Sequence, residues 1–295
     1  MKIAVTGSSG FLGTALLSSL RSDGHEVLRL VRRAPSGLDE VTWDPMAGTV
    51  DVDALNGVEA VVHLAGAAVG DHRWTESYKR TILDSRVDGT RTISTAITRL
   101  DPAPRVLVSA SAVGFYGDRG EEVLTEESPP GGGFLAGVVQ AWEAAAAPAV
   151  AAGVRVVHPR TGIVLSKDGG ALGRMSTLFR LGVGGRLGSG QQYWPWISLT
   201  DEIRALRFLV DTEDLSGPVN LTGPEPVTNA AITSAIGDVV HRPTILPVPA
   251  VALKIALGEF AGEVLISQRV LPRRLLDAGF AFEHPDVTTA LRTEM

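Results

Sequence analysis

The feature that most constrains this chain is a seven-residue stretch that begins at the seventh position. Gly7-Ser8-Ser9-Gly10-Phe11-Leu12-Gly13 follows directly on KIAVT (2–6), a run that reads as a strand. It opens FLGTALLSSLRSDG, whose apolar spacing suits an amphipathic helix. Glycines at this spacing let the backbone turn tightly and approach an anion at the helix N-terminus, where free N–H groups and the helix dipole favour negative charge. Alone the pattern is weak. Between a strand and a helix it selects a dinucleotide pyrophosphate, with all seven residues as the contacting segment.

The rest of the first half repeats the alternation. EVLRLV (26–31), AVVHLA (60–65), RVLVSA (105–110) and VRVVHP (154–159) are valine-rich and read as strands buried on both faces. Helical stretches separate them, including WTESYKRTILDSRVDGTRTISTAITRL. This rhythm predicts an α/β fold, a Rossmann-type doubly wound parallel sheet with right-handed crossovers. After about residue 165 the rhythm gives way to glycine-rich segments. LTDEIRALRFLVD then reads as a helix with Thr200 or Asp201 near its N-cap, PVNLT as a short strand, and the stretch from Val248 as two or three short helices. The expected organisation is a core over 1–165, to which later segments return, and a smaller substrate lobe over most of 166–295 with a helical segment from about 248.

Composition narrows the function. A net charge of −6 over 295 residues gives no general attraction for nucleic acid or an anionic membrane. The absence of cysteine removes disulfides, thiolate metal sites and a cysteine nucleophile, and the six histidines lack metal-ligand spacing, so no metal is expected. No leader precedes the first strand, and the apolar runs read as too short or too interrupted to span a bilayer; the expectation is a cytoplasmic protein.

Cofactor choice turns on the end of the second strand. A carboxylate there favours NAD through the adenosine ribose. This chain reads Val31-Arg32-Arg33 instead, and a guanidinium pairs bidentately with a 2′-phosphate, so NADP(H) is favoured over NAD(H), with Arg32 or Arg33 as the clamp. Two solvated arginines at a strand end are the plain alternative. Asp44, the last residue of VTWD, reads either as an adenine contact or as a turn residue.

TGSSGFLG (6–13), HLAG (63–66), SRVDGT (85–90), VSASAVGFYG (108–117), PRTGIVL (159–165), WISLTDEIRAL (196–206) and VNLTGPEPVTN (219–229) together resemble the extended short-chain dehydrogenase/reductase family. FLAGVVQAWEAAA, GSGQQYWPWI and LISQRVLPRRLLDAGFAF are similar to its epimerase-like, also called SulA-like, branch. The resemblance implies cofactor contacts at Leu64, Ala65, Gly66, Arg86, Pro159, Arg160 and Gly162. It implies a catalytic hydroxyl at Ser111, and dimerisation through helices near 75–98 and 134–152. It also implies a tyrosine acid/base with a lysine four residues on, a spacing that puts both on one helix face and lets the cation favour the phenolate. Here Leu135 and Val139 occupy those places, and Arg86 stands where many members carry asparagine. Tyr116, close to Ser111, is the candidate replacement proton donor, although the family's tyrosine there more often lines the pocket. Glu143 reads as a structural contact beside Trp142. Arg160 either orients a substrate or braces its loop.

GVGGRLGSGQQYWPWIS reads either as a substrate lid, with Gln192, Tyr193 and Trp196 as contacts, or as a loop anchored by its tryptophans. Two functions stay open: an NADP(H)-dependent oxidoreductase or epimerase-like enzyme acting on a small hydroxyl or carbonyl compound, sugar-nucleotide-like compounds included, and a non-catalytic NADP(H)-binding sensor.

Overall fold

The structure, a computed structural model, describes residues 1–295 apart from the side chain of residue 174. Seven parallel strands form the central sheet: β1 (Lys2–Thr6), β2 (Glu26–Val31), β3 (Glu40–Asp44), β4 (Ala60–His63), β5 (Val106–Ser109), β6 (Arg155–Thr161) and β7 (Gly217–Leu221). Their order is β7-β6-β5-β4-β1-β2-β3, and Thr49–Val50 adds a short antiparallel edge to β3. The chain runs from β1 outward to β3 and then returns to the other side of β1. That reversal opens a crevice at the C-terminal ends of β1 and β4, where open α/β sheets take their ligands.

Alternation along each strand divides the core in two. Ile3 and Val5 face one side and Ala4 the other, all fully buried. On the first side Leu16, Leu17 and Leu20 of α1 (Phe11–Ser22) meet Ile203, Leu206 and Leu209 of a later helix over Val62, Val108, Val157 and Val219. That helix, Leu199–Asp211, starts beyond Ser198, whose hydroxyl accepts from Asp201 N–H. The cap lies slightly upstream of the expected Thr200 or Asp201, because a serine can cap only from outside the helix. On the second side α2 (Glu76–Ile97) places Ile93 and Ile97 against Leu28, Val61, Leu107 and Val156.

α3 (Phe134–Ala144) ends at Ala145, and a one-turn helix, Ala147–Ala151, follows. The stretch 134–151 is apolar and long enough by composition to cross a membrane, but Gly137 and Pro148 interrupt it and it folds as two helices. Here Val138, Ala146 and Ala149 are buried, the last two in the core with Ile93 and Ile97.

The later residues build a second cluster. Ile163–Leu165 pairs with Trp196–Ser198, Tyr193–Trp194 with Val227–Thr228, and helices Gly170–Arg180, Asn229–Val240, Ala250–Leu257 and Val287–Glu294 close around Leu165, Leu172, Trp194, Trp196 and Ile236. Segments 199–211 and 217–221 return to the main sheet. Where the lobe begins, Gly169 lies against Phe11: a Cβ on it would come within 2.8 Å of that ring's Cγ.

Candidate active site

The glycine turn is packed as tightly as its sequence suggests. Gly7 has φ +66, and a Cβ on it would meet Leu64 and Ala65 backbone at 2.8 Å. A Cβ on Gly13 would fall 2.8 Å from Ser8 Cα. Gly10 is the N-cap of α1 with no side-chain capping bond, and no acidic residue occupies the first turn. The helix N-terminus is therefore open to an anion, and the missing side chains leave the backbone as the contact surface; a dinucleotide diphosphate fits. Thr6 ties β1 to β4: its hydroxyl bonds His63 Nδ1 at 2.7 Å and accepts from Leu64 and Ala65 N–H. Burial pulls the His63 imidazole down to about 3, so the ring is neutral.

At the end of β2 the two arginines separate. Arg33 donates to both carboxylate oxygens of Glu40 at 2.7 and 2.5 Å. That guanidinium, with Ser36 N–H, holds the Glu40 carboxyl down at about 2. Arg32 is exposed and has no ion-pair partner among the described residues. Asp44 accepts from Met46 and Ala47 N–H and is thus a turn residue.

Across the crevice, Ser111–Ala112 pairs with Arg160–Thr161 of β6. This register sets Ser111 opposite Arg160, and α3 brings Glu143 between them. Ser111 donates to Glu143 Oε1 at 2.6 Å, while Arg160 donates through Nε and Nη2 to both Glu143 oxygens at 2.9 Å. Burial pushes the Glu143 carboxyl up, but the Arg160 and Ser111 hydrogen bonds and the Arg160 charge outweigh it, and the net shift is downward. With its proton committed to a carboxylate, Ser111 Oγ presents lone pairs: it can accept a substrate hydroxyl but cannot donate to a carbonyl oxygen until Glu143 takes a proton.

Tyr116 is corrected. It is fully buried, its hydroxyl donates to Asn220 Oδ1 at 2.6 Å, and Arg160 Nη1 donates back to it at 3.1 Å. The 3₁₀ turn Val113–Tyr116 carries its ring into a buried cluster with Val113, Leu124 and Val270, and burial pushes its phenol up despite Arg160. It braces Arg160, which also lies 3.4 Å from the Phe115 ring centroid. Leu135 and Val139 fill their places with carbon: a Cβ on Gly114 would touch Leu135 Cβ at 3.4 Å and Val139 Cγ2 at 3.9 Å.

Of the two readings of the glycine-rich loop, Gln192 and Trp196 fit the anchored one. Gln192 is buried and donates to Leu187 O, and Trp196 is 1% exposed with its indole N–H on Glu225 O. Tyr193 is half-buried under Arg269. The tryptophans anchor the lobe's interior, and a Cβ on Gly223 would strike Trp196. Pro159 is buried within β6. Gly162 lies where a Cβ would meet Thr222 Cγ2 at 3.1 Å.

Sequence reasoning placed Glu143 only as a structural neighbour and missed Asn220 and Glu202. Glu202 is fully buried on the helix 199–211, where Thr161 donates to its Oε1 at 2.8 Å. Its Oε2 has no partner among the described residues, and burial pushes the carboxyl up to about 8. A spacing pattern could not have flagged these three, since each acts on a residue at least 17 positions away.

Comparison with known proteins agrees with this architecture. Residues 3–221 match the NAD dependent epimerase/dehydratase family, and residues 248–294 match a domain of unknown function. An epimerase family protein of Mycobacterium tuberculosis is 49% identical over 290 residues, covering 98% of this chain and 96% of that one. The crystal structure of human epimerase family protein SDR39U1 with NADPH superposes with a TM-score of 0.92 at 33% identity, over 100% of this chain and 99% of that chain. A structure described as a nucleoside-diphosphate sugar epimerase from Corynebacterium glutamicum gives 0.83 at 37% identity, this chain matching 58% of its length. By its Rossmann-type sheet, its glycine turn and these matches, the chain belongs to the NAD dependent epimerase/dehydratase family.

Proposed function

We propose that this protein is an NADP(H)-dependent oxidoreductase or epimerase-like enzyme acting on a small hydroxyl or carbonyl compound, with Ser111 and Glu143 as its proton path. The observation that carries the reading is the 2.6 Å hydrogen bond from Ser111 to Glu143 at the crevice end of β5 and β6. NADPH in the human relative and the unpaired Arg32 at the strand end support the cofactor. The C. glutamicum relative supports a sugar-nucleotide-like substrate.

The cofactor supplies or accepts hydride when bound. The glycine turn and the N-terminus of α1 hold its diphosphate, and Arg32 pairs with its 2′-phosphate. In the oxidative direction Ser111 Oγ accepts the substrate hydroxyl proton as its own passes to Glu143; in the reductive direction the sequence reverses. A carboxylate held low by Arg160 is a weak base, so this path contributes less than a general base poised near neutrality.

Titration with NADPH and NADH, followed by a hydroxyl and carbonyl panel read by nicotinamide absorbance, tests this. Ser111→Ala should cut turnover about 100-fold with NADPH affinity unchanged; unchanged turnover would refute the proton path. The carbon-filled places of Leu135 and Val139 favour a second reading, a non-catalytic NADP(H) sensor, for which NADPH binds tightly and no panel member turns over.

A further inference from the structure

Arg86 of α2 is a half-buried cation whose charge no residue answers. Its Nη1 donates to Ala67 O at 2.9 Å and Ile82 O at 3.0 Å, and its guanidinium carbon lies 4.9 Å from the Trp142 ring centroid. Among the described residues it has no carboxylate within ion-pair distance, and Nε and Nη2 have no acceptor. Among the described residues most other half-buried or buried arginines have acceptors, while Arg269 has the Tyr193 ring alone. Arg29 pairs with Asp39 and Glu40, Arg160 with Glu143 and Arg204 with Asp201. Arg155 takes the carbonyls of Leu209, Val210 and Leu215 at the end of a helix. Arg86 Nε and Nη2 are not among the sealed, unpartnered atoms of the protein, so these unused donors stay open to solvent and to an anion that enters from it.

Its place in the fold says what kind of group that is. Gly66 follows the Leu64–Ala65 backbone that packs on Gly7, and Arg86 lies directly over it: a Cβ on Gly66 would be 3.4 Å from Arg86 Cγ and 3.5 Å from Cζ. Trp142 shares a face of α3 with Leu135 and Val139, at spacings of two turns and one turn. The cation therefore lies between Gly66, next to the backbone that packs on the glycine turn, and Trp142, itself one turn from Val139. Burial pulls its pKa down to about 10, which leaves it charged at neutral pH.

We propose that Arg86 binds an oxyanion, a phosphate or carboxylate group, of a ligand held in this crevice. The proposal rests on the reading that the crevice holds a dinucleotide and its substrate. The oxyanion belongs either to the dinucleotide or to an acidic substrate, and the test separates the two.

Arg86→Met keeps an apolar stem over Trp142 and removes the charge; Arg86→Lys keeps the charge. Each is compared with wild type by NADPH fluorescence titration, and by inorganic phosphate titration of the NADPH-saturated protein followed calorimetrically. A charge-assisted contact predicts a loss of about tenfold or more in Arg86→Met, with partial recovery in Arg86→Lys. Loss of NADPH affinity assigns the oxyanion to the cofactor. Unchanged NADPH affinity with loss of the wild-type phosphate response assigns it to the substrate. A folded Arg86→Met protein that matches wild type in both titrations overturns the proposal. Should wild type bind no NADPH, the cofactor reading fails by itself, and phosphate titration of the free protein still judges Arg86.

Discussion

Ser111 donates its hydroxyl proton to Glu143 Oε1 across 2.6 Å, although 32 positions separate them in the chain. Arg160, 4% exposed at its side chain, neutralises that carboxylate from the other side. Glu143→Gln keeps an oxygen for Ser111 but leaves the buried guanidinium without a counter-charge, and removing one partner of a buried pair costs about 3–5 kcal/mol. Urea unfolding at pH 7 should show most of that loss. The pH dependence follows from the depressed carboxyl. Its stabilisation is present above the ordinary carboxylate range and disappears as pH falls through the lower folded value, so wild type should converge on Glu143→Gln in acid.

Arg32 and Arg33 should part company under mutation. Arg33 is committed to Glu40, so Arg33→Ala should lower the melting temperature and change cofactor preference little. Arg32→Ala should weaken NADPH binding roughly tenfold and leave NADH binding unchanged, as loss of one charged phosphate contact requires. Paired fluorescence titrations with the two nucleotides check this.

Gly13→Ala should damage the crevice from below. The new methyl would fall 2.8 Å from Ser8 Cα and 2.9 Å from Gly7 carbonyl carbon, with backbone on both sides and nothing flexible to yield. The expected cost is about 1–3 kcal/mol of stability, together with a sharp loss of NADPH affinity. Ser9→Ala, at an exposed position of the same turn, should stay within about 0.5 kcal/mol of wild type.

Glu202 gives the opposite pH signature to Glu143. Burial raises its folded pKa to about 8, so the folded protein keeps a proton that the unfolded chain releases near 4.5. Stability from this residue is complete below about 4.5 and is lost progressively as pH climbs through 8. Glu202→Gln copies the neutral acid, and its advantage over wild type should grow between pH 5 and 8.5 to roughly 3–5 kcal/mol. Denaturation curves at four pH values would measure it; a constant difference would contradict the assignment.

What the chain discloses in advance depends on the range over which each residue acts. The glycine turn, the strand alternation and the separation of Ile3 and Val5 from Ala4 depend on neighbours in sequence, and all are legible before folding. Tyr116 misleads because proximity to Ser111 in sequence says nothing about the 3₁₀ turn that points it inward toward Asn220. Trp196 misleads because glycine-rich flanks resemble a mobile loop, while its indole N–H has an acceptor 29 residues away, at Glu225. Glu143 reads as structural from its helix alone. Only β6 and the segment 111–112 show that Ser111 depends on it.

The pairing of Ser111–Ala112 with Arg160–Thr161 carries one further consequence. Backbone ladder bonds, not side chains, fix the separation of positions 111 and 160. The crevice thus has addresses that persist when their occupants change, and a lineage can exchange the reacting groups without rebuilding the frame that aims them.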